Sequence, residues 1–230
     1  MVPTIDRYYL FLVIPALLIS MWAQVQVKST FARYNRVPNR RGYTGAMLAR
    51  QILDENGLQH IRIERVAGQL SDHYSPKEDV IRLSDSTYNS TSVGALGVAA
   101  HEVGHAIQYD VGYFPIKIRN ALIPITQIGS SVAIPLAILG LILSFPLLTE
   151  IGILLFCAVV LFQLFTLPVE FNASRRAVRT LDEDGILDQD ELKGAKKVLS
   201  AAAMTYVAAL IVAIANLARL LALRDRNQRR

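Results

Sequence analysis

Long uncharged stretches set the pattern of this sequence. Three of them predict membrane-spanning helices, over residues 8–27, 120–148 and 151–169, because about 20 apolar residues are needed to cross the hydrocarbon core. Between the second and third, Pro146 is expected to break the helix within a tight hairpin over Ser144–Thr149. The first stretch is predicted to be an uncleaved anchor, since it lacks a strongly basic start and a small-residue cleavage site.

A fourth uncharged stretch follows near the end of the chain. It is rich in alanine, contains Asn216 and runs directly into Arg219. We predict a fourth span over residues 198–220, and the alternative is a buried or interfacial helix.

Basic residues flank the predicted spans unevenly. They are dense in residues 28–119 and 170–197 and sparse beyond the opposite ends of the spans. Because Lys and Arg concentrate on the cytoplasmic side, both segments are predicted to be cytoplasmic. If the fourth span crosses, the C-terminal tail conflicts with this rule, since it carries four arginines, namely Arg224, Arg226, Arg229 and Arg230.

The first polar segment alternates between helical and extended patterns. Thr44 can cap a helix over 45–56, and Ser90–Ser92 can cap a second over 93–109. Between them, alternating residues predict three short strands, namely residues 61–66, 70–74 and 80–83. The predicted order is therefore helix, short sheet, helix.

Composition narrows the class of protein further. Of the 230 residues, 52% are hydrophobic and 19% are charged, which excludes disorder and coiled coil. Cys157 is the single cysteine, so neither an intrachain disulfide nor a cysteine-based zinc cluster can form. The net charge of +5 fits contact with anionic lipid, and no nucleic-acid partner is expected because no basic stripe with interleaved aromatics is present.

One motif with metal chemistry lies in the second predicted helix. His101, Glu102 and His105 form H-E-x-x-H, whose spacing places both imidazoles on one helical face where they can bind one Zn²⁺. Glu102 lies beside them and can act as general base toward a zinc-bound water. The motif therefore predicts a zinc hydrolase, against the alternative of two structural histidines.

A catalytic zinc usually has a third protein ligand. It is not close in sequence, because Gln108 and Val111 stand where the extended H-E-x-x-H-x-x-G-x-x-H form has Gly and His. Glu170 is predicted as this ligand, since it is the first charge after the third span and lies on the predicted side of His101. The alternative for Glu170 is a surface carboxylate at a helix end.

The sequence also resembles a known family. His101–His105, followed after a membrane hairpin by Glu170-Phe-Asn-Ala-Ser-Arg-Arg-Ala177, is similar to the YugP-like neutral zinc metallopeptidases, as are Leu70–Pro76, Ile81–Ser84 and Tyr88–Val93. The resemblance covers most of residues 42–180 and implies that Glu170 is the third ligand. More distant membrane gluzincins carry Asp where this chain has Ser174, so Ser174 is expected to hydrogen-bond a ligand histidine without adding charge.

Three further assignments concern substrate and transition state. The family implies an edge strand that pairs with an extended polypeptide, and residues 79–84 are the predicted strand, with Val80, Ile81, Arg82 and Leu83 as its substrate-binding residues. The alternative is an ordinary core strand. His73 and Arg175 are candidates to stabilise the oxyanion, although His73 could be a surface residue and Arg175 could instead contact lipid phosphate.

Together these features predict an α+β membrane protein of one peptidase domain over residues 1–230. It would combine a multi-helix transmembrane bundle with a small zincin-like cytoplasmic catalytic domain. The predicted function is a Zn²⁺-dependent endopeptidase that cuts unfolded or membrane polypeptides at the cytoplasmic face of the cell membrane, with Glu102 activating a zinc-bound water. The alternative is a zinc-binding membrane scaffold without proteolytic activity.

Overall fold

The computed structural model describes residues 6–228 and is mostly helical. A π-helical segment, Tyr9–Val13, leads into α1 (Ile14–Tyr34). The remaining elements are α2 (Gly45–Glu55), β1 (Arg62–Val66), β2 (His73–Ser75), β3 (Val80–Ser84), α3 (Val93–Asp110), α4 (Phe114–Ile142), α5 (Pro146–Glu183) and α6 (Gln189–Gln228). The order of helix, short sheet and helix predicted for the first polar segment is therefore confirmed.

Four of the described helices are long and apolar enough to cross a membrane. They run over Tyr9–Tyr34, Phe114–Ile142, Pro146–Glu183 and Gln189–Gln228. Each extends past at least one end of the corresponding predicted span, but α4 ends at Ile142, before the predicted end at residue 148. The described part of the protein is thus mostly helical, with four candidate membrane-spanning helices and one small mixed sheet.

The turn between α4 and α5 differs from the prediction. It covers residues 143–145, and Leu147–Glu150 already belong to α5, whereas the predicted hairpin extended to Thr149. Pro146 opens α5, where its missing N–H is not needed, and Ser144 adopts a left-handed conformation with φ 52°. The proline therefore starts the second helix of the hairpin.

The chain divides into two compact units. The first consists of the described parts of Met1–Gln24, Phe114–Pro168 and Met204–Arg230, and the second consists of Val25–Tyr113 and Val169–Ala203. Helices α5 and α6 contribute to both. The predicted metal ligands all belong to the second unit.

Within the first unit, two ion pairs fix the direction of α6. Arg219 pairs with Asp6 at 2.7 Å, with both side chains at most 5% exposed, and Arg224 contacts Glu150 near the start of α5 at 3.5 Å. The C-terminal end of α6 therefore lies beside the α4–α5 turn and the start of the N-terminal helix. Two of the basic residues of this end are thereby paired with carboxylates, and Arg229 and Arg230 lie outside the described residues.

The second unit is built on a three-stranded sheet in the order β1-β3-β2. β3 pairs in parallel with β1 and antiparallel with β2. Its side chains join a core with residues of α2, α3, α5 and α6, including Leu48, Ile81, Leu96, Leu181 and Leu192. β2 is shorter than predicted, because Gly68 and Leu70 adopt positive φ and interrupt the extended chain before His73.

The predicted substrate strand is therefore wrong in its position. Residues 79–84 were expected to form an edge, but β3 is the central strand and both of its sides are paired. Register places Arg62, Ile63, Glu64 and Arg65 opposite Val80, Ile81, Arg82 and Leu83 on one side, while β2 pairs with Val80, Ile81 and Arg82 on the other. Val80, Ile81 and Arg82 are thus paired on both sides and Leu83 on one, within the sheet.

Candidate metal centre

Helix α3 presents the two motif histidines on one face. Its N-terminus is capped by Ser92, whose Oγ accepts a hydrogen bond from the Ala95 amide at 3.1 Å. Two turns later, His101 and His105 lie one helical turn apart, with ring centroids 4.7 Å from each other in an edge-on arrangement. The predicted spacing thus places both imidazoles together, with their side chains only 14% and 12% exposed.

Gly104 allows α5 to approach this face closely. A Cβ at this position would lie 2.8 Å from the Ala173 carbonyl oxygen and 3.3 Å from its Cα. These separations are too short for any larger residue without a shift of the α5 backbone. The absence of a side chain at Gly104, between the two histidines in sequence, therefore lets α5 pack directly on α3.

This packing brings Glu170 of α5 to both histidines. Its Oε2 lies 3.3 Å from His101 Nε2 and 3.6 Å from His105 Nε2, and one ligand atom from each residue lies within 4.8 Å of the others. The Glu170 side chain is 3% exposed. Among the described residues, these three form the group able to hold a metal ion.

The dimensions of the group fit zinc. Atoms bound to one Zn²⁺ at about 2.0–2.2 Å in a tetrahedral arrangement lie about 3.3–3.6 Å from each other, which matches both His–Glu separations. Two nitrogens and one carboxylate oxygen are also ligand types that Zn²⁺ prefers. Burial opposes protonation of His105, but the hydrogen bond and the charge of Glu170 outweigh the effect of burial and raise the pKa of His105. The three-residue group therefore favours a positive charge.

Glu102 lies beside the ligand group without belonging to it. It is buried, with 8% of its surface exposed. Burial raises the pKa of its carboxyl group, and the nearby Glu170 and Asp72 carboxylates act in the same direction against the two histidines. A carboxylate with a raised pKa is better matched to accept and return a proton near neutral pH.

Each histidine is held by a hydrogen bond at its second nitrogen. Ser174 Oγ lies 3.1 Å from His101 Nδ1, which is the contact expected for this serine. Gln108 Oε1 lies 3.0 Å from His105 Nδ1. These contacts leave both Nε2 atoms directed to Glu170.

The Gln108 contact also defines the protonation of His105. Gln108 is fully buried, and its Nε2 donates to the Val169 carbonyl at 2.8 Å and to Asn172 Oδ1 at 3.0 Å. With the amide nitrogen committed to two acceptors, its oxygen must face His105. His105 Nδ1 then donates to this oxygen, which leaves Nε2 as the nitrogen that would bind a metal.

This hydrogen-bond chain extends one residue further. Arg176 Nε donates to Asn172 Oδ1 at 2.9 Å, so one asparagine oxygen accepts from both Gln108 and Arg176. Gln108, Asn172 and Gly104 were not predicted as site residues. The i, i+3 spacing of Gln108 from His105 was the one signal in the sequence, whereas the partners on α5 become visible only when the two helices meet.

The two oxyanion candidates lie elsewhere in the second unit. His73 is exposed in β2, and its Nδ1 lies 2.9 Å from the Ser71 carbonyl oxygen. Arg175 is exposed and lies about 140° around α5 from Glu170, given about 100° per residue. The structure does not bring either side chain to the three ligands, and their role at an oxyanion stays a prediction.

Comparison with known proteins agrees with the site. The chain belongs to the family described as "Putative neutral zinc metallopeptidase", whose profile matches residues 9–225. It is also 47% identical over 211 residues to "Putative membrane protease YugP" of Bacillus subtilis (strain 168), covering 92% of this chain and 94% of that relative. No solved structure matches the chain. The predicted zinc metallopeptidase family is thus confirmed, for a chain in whose described part four helices are of membrane-spanning type.

Proposed function

We propose that this protein is a membrane-embedded zinc endopeptidase that hydrolyses unfolded or membrane polypeptides. The observation that carries the proposal is the convergence of His101, His105 and Glu170 at tetrahedral separations beside the buried Glu102. The family and the membrane-protease relative support the same class of reaction. The second unit would then be a small zincin-like catalytic domain.

The proposed division of labour follows from these positions. His101, His105 and Glu170 would hold Zn²⁺, which supplies a Lewis acid for the scissile carbonyl and favours ionisation of water near neutral pH. Glu102 accepts a proton from the attacking water and returns it to the leaving amine. Ser174 and Gln108 keep the two imidazoles oriented and Gln108 keeps His105 in the ligand tautomer.

The substrate backbone would bind at β2. With β3 central in the sheet, β2 is the described edge strand that packs against α3, where Tyr74 contacts the Tyr109 ring edge-on at a centroid distance of 5.5 Å. An extended polypeptide added to this edge would be bound through backbone hydrogen bonds, which place few requirements on the substrate's sequence. This position replaces the β3 position predicted from the family pattern.

Metal removal tests the proposal directly. The purified full chain in detergent should cleave an unfolded polypeptide such as reduced casein, and a chelator should abolish cleavage. Adding Zn²⁺ back should restore activity in proportion to bound metal, reaching its maximum at about one ion per chain, since residues 6–228 contain one group of three residues able to hold a metal ion. Chelator-treated protein that still cleaves at the untreated rate would exclude a metal-dependent reaction.

Gln108→Leu should weaken zinc binding without touching a ligand. The substitution removes the acceptor at His105 Nδ1, and loss of such an outer hydrogen bond typically costs about 10–100-fold in metal affinity. Competition with a chromophoric chelator measures the zinc dissociation constant, with the exposed Gln59→Leu as matched control. A Gln108→Leu protein with wild-type zinc affinity would contradict the positioning role, and its thermal unfolding with saturating zinc separates this role from a loss of folding.

We further propose that the second unit faces the cytoplasm, as the Lys and Arg distribution indicates. In a Cys157→Ala background, a cysteine at the exposed Asn89 should resist an impermeant thiol reagent in intact cells. A cysteine at Gln228 should react, because the end of α6 lies beside the α4–α5 turn, which is expected outside. The opposite labelling pattern would reverse the orientation.

A further inference from the structure

A groove of about 480 Å³ lies between α5 and α6 within the second unit, outside the metal centre. Its walls combine apolar side chains with basic ones, namely Phe171, Arg175, Val178, Lys196, Leu199 and Ala203. Ser174, which contacts His101, also reaches this groove. The groove therefore lies next to the face of α5 that packs on α3.

The lining changes character along the groove. Because α5 and α6 are consecutive helices joined by the short connection 184–188 and run antiparallel, Phe171 and Ala203 lie at one end and Asp182 at the other. The apolar end of the groove borders two uncharged stretches of sequence. The uncharged stretch in α5 ends at Val169, and the uncharged stretch in α6 begins at Val198. Basic residues follow at the middle of the groove.

The charges of the groove are not balanced where the basic residues lie. Arg179 is paired with Glu183 at 2.9 Å, and Asp182 accepts a hydrogen bond from Gln189 at 2.8 Å. Arg175 and Lys196 are both exposed and form no ion pair with any residue from 6 to 228. Asp182 keeps its negative charge, so the three cations and two carboxylates of the lining leave a net charge of +1, with Arg175 and Lys196 outside any ion pair beside the apolar end.

We propose that this groove binds an anionic phospholipid, with its phosphate between Arg175 and Lys196 and its acyl chain against Phe171, Leu199 and Ala203. Basic pockets between membrane helices near the bilayer surface are suited to lipid head groups. An acyl chain covers apolar surface that an inorganic anion would leave exposed. The lipid would lie on the side of α5 next to the face that carries Glu170, and its binding does not depend on peptidase activity.

Lipid titration of the purified full chain tests this site. The protein in detergent is titrated with phosphatidylglycerol, with phosphatidylcholine and with inorganic phosphate, and native mass spectrometry counts bound molecules. Wild type should bind phosphatidylglycerol in preference to the other two. Arg175→Gln with Lys196→Gln should weaken this binding about 25-fold, because each basic residue near an anionic head group contributes a factor of about five.

The matched control removes the same charge outside the groove. Lys28→Gln with Lys197→Gln changes two exposed lysines of α1 and α6 that do not line the groove, and this protein should bind phosphatidylglycerol within about twofold of wild type. Equal losses in both double variants would show unspecific attraction and overturn the site. Inorganic phosphate binding as tightly as the lipid would overturn the lipid assignment, and unfolding temperatures within the wild-type range show that the variants are folded.

Discussion

Replacing Glu102 with glutamine is expected to lower cleavage of an unfolded polypeptide by about 10²–10⁴-fold, the usual contribution of a positioned acid or base. Glutamine keeps the size of the side chain but cannot accept the proton of the attacking water. Zinc content should stay at the wild-type value, because Glu102 is not one of the three residues proposed to hold the metal. The defect should therefore appear in kcat/KM and not in metal binding.

The measurement compares initial cleavage rates at equal zinc occupancy. Glu55→Gln provides a matched control, since Glu55 is an exposed residue at the end of α2 and its substitution should leave the rate unchanged. If Glu102→Gln retained full activity, the general-base mechanism would be wrong. A wild-type protein that binds zinc and cleaves no polypeptide would instead favour a membrane scaffold.

Replacing Glu170 with glutamine should have the opposite effect on metal content. A neutral amide is a poor zinc ligand. Zinc affinity should therefore fall by more than about 100-fold, the upper end of the loss when only a hydrogen bond to a metal-binding residue is removed. Activity should fall with occupancy and recover in part when zinc is raised. The same chemical change at Glu102 and at Glu170 thus separates a base from a ligand.

Equilibrium dialysis followed by metal analysis gives the dissociation constants of both variants. Glu170 is 2% exposed, so the folding of its variant needs to be verified by thermal unfolding at saturating zinc. If Glu170→Gln kept wild-type zinc affinity while Glu102→Gln lost it, the two roles would be reversed. If both kept it, the third ligand would have to be sought elsewhere in the chain.

Local signals explain why much of this structure could be predicted. At each of the helix caps Thr44 and Ser92, the side chain accepts a hydrogen bond from a backbone amide three residues later in the sequence. The H-E-x-x-H spacing depends on a single helix. Glu170 was found because charges are rare in the apolar part of the chain. These features require little knowledge of which elements meet.

What could not be predicted depends on how elements pair. The strand 79–84 was expected at an edge because hydrophobic pattern does not report strand order, and only the pairing of β1 with β3 shows that it is central. The contacts of Gln108 with Val169 and Asn172 bridge 61 and 64 positions. Neither residue type nor local spacing could identify such partners.

The division of the proposed ligands between α3 and α5 has a consequence for the biosynthesis of the protein. His101 and His105 leave the ribosome well before Glu170, and α4 with the first part of α5 must be synthesised between them. A nascent chain therefore carries two histidines but not the complete proposed zinc site until its third apolar helix has been made. Hydrolytic capacity would arise only after the hairpin that anchors α5 exists, so that a truncated or stalled product stays inert toward its neighbours.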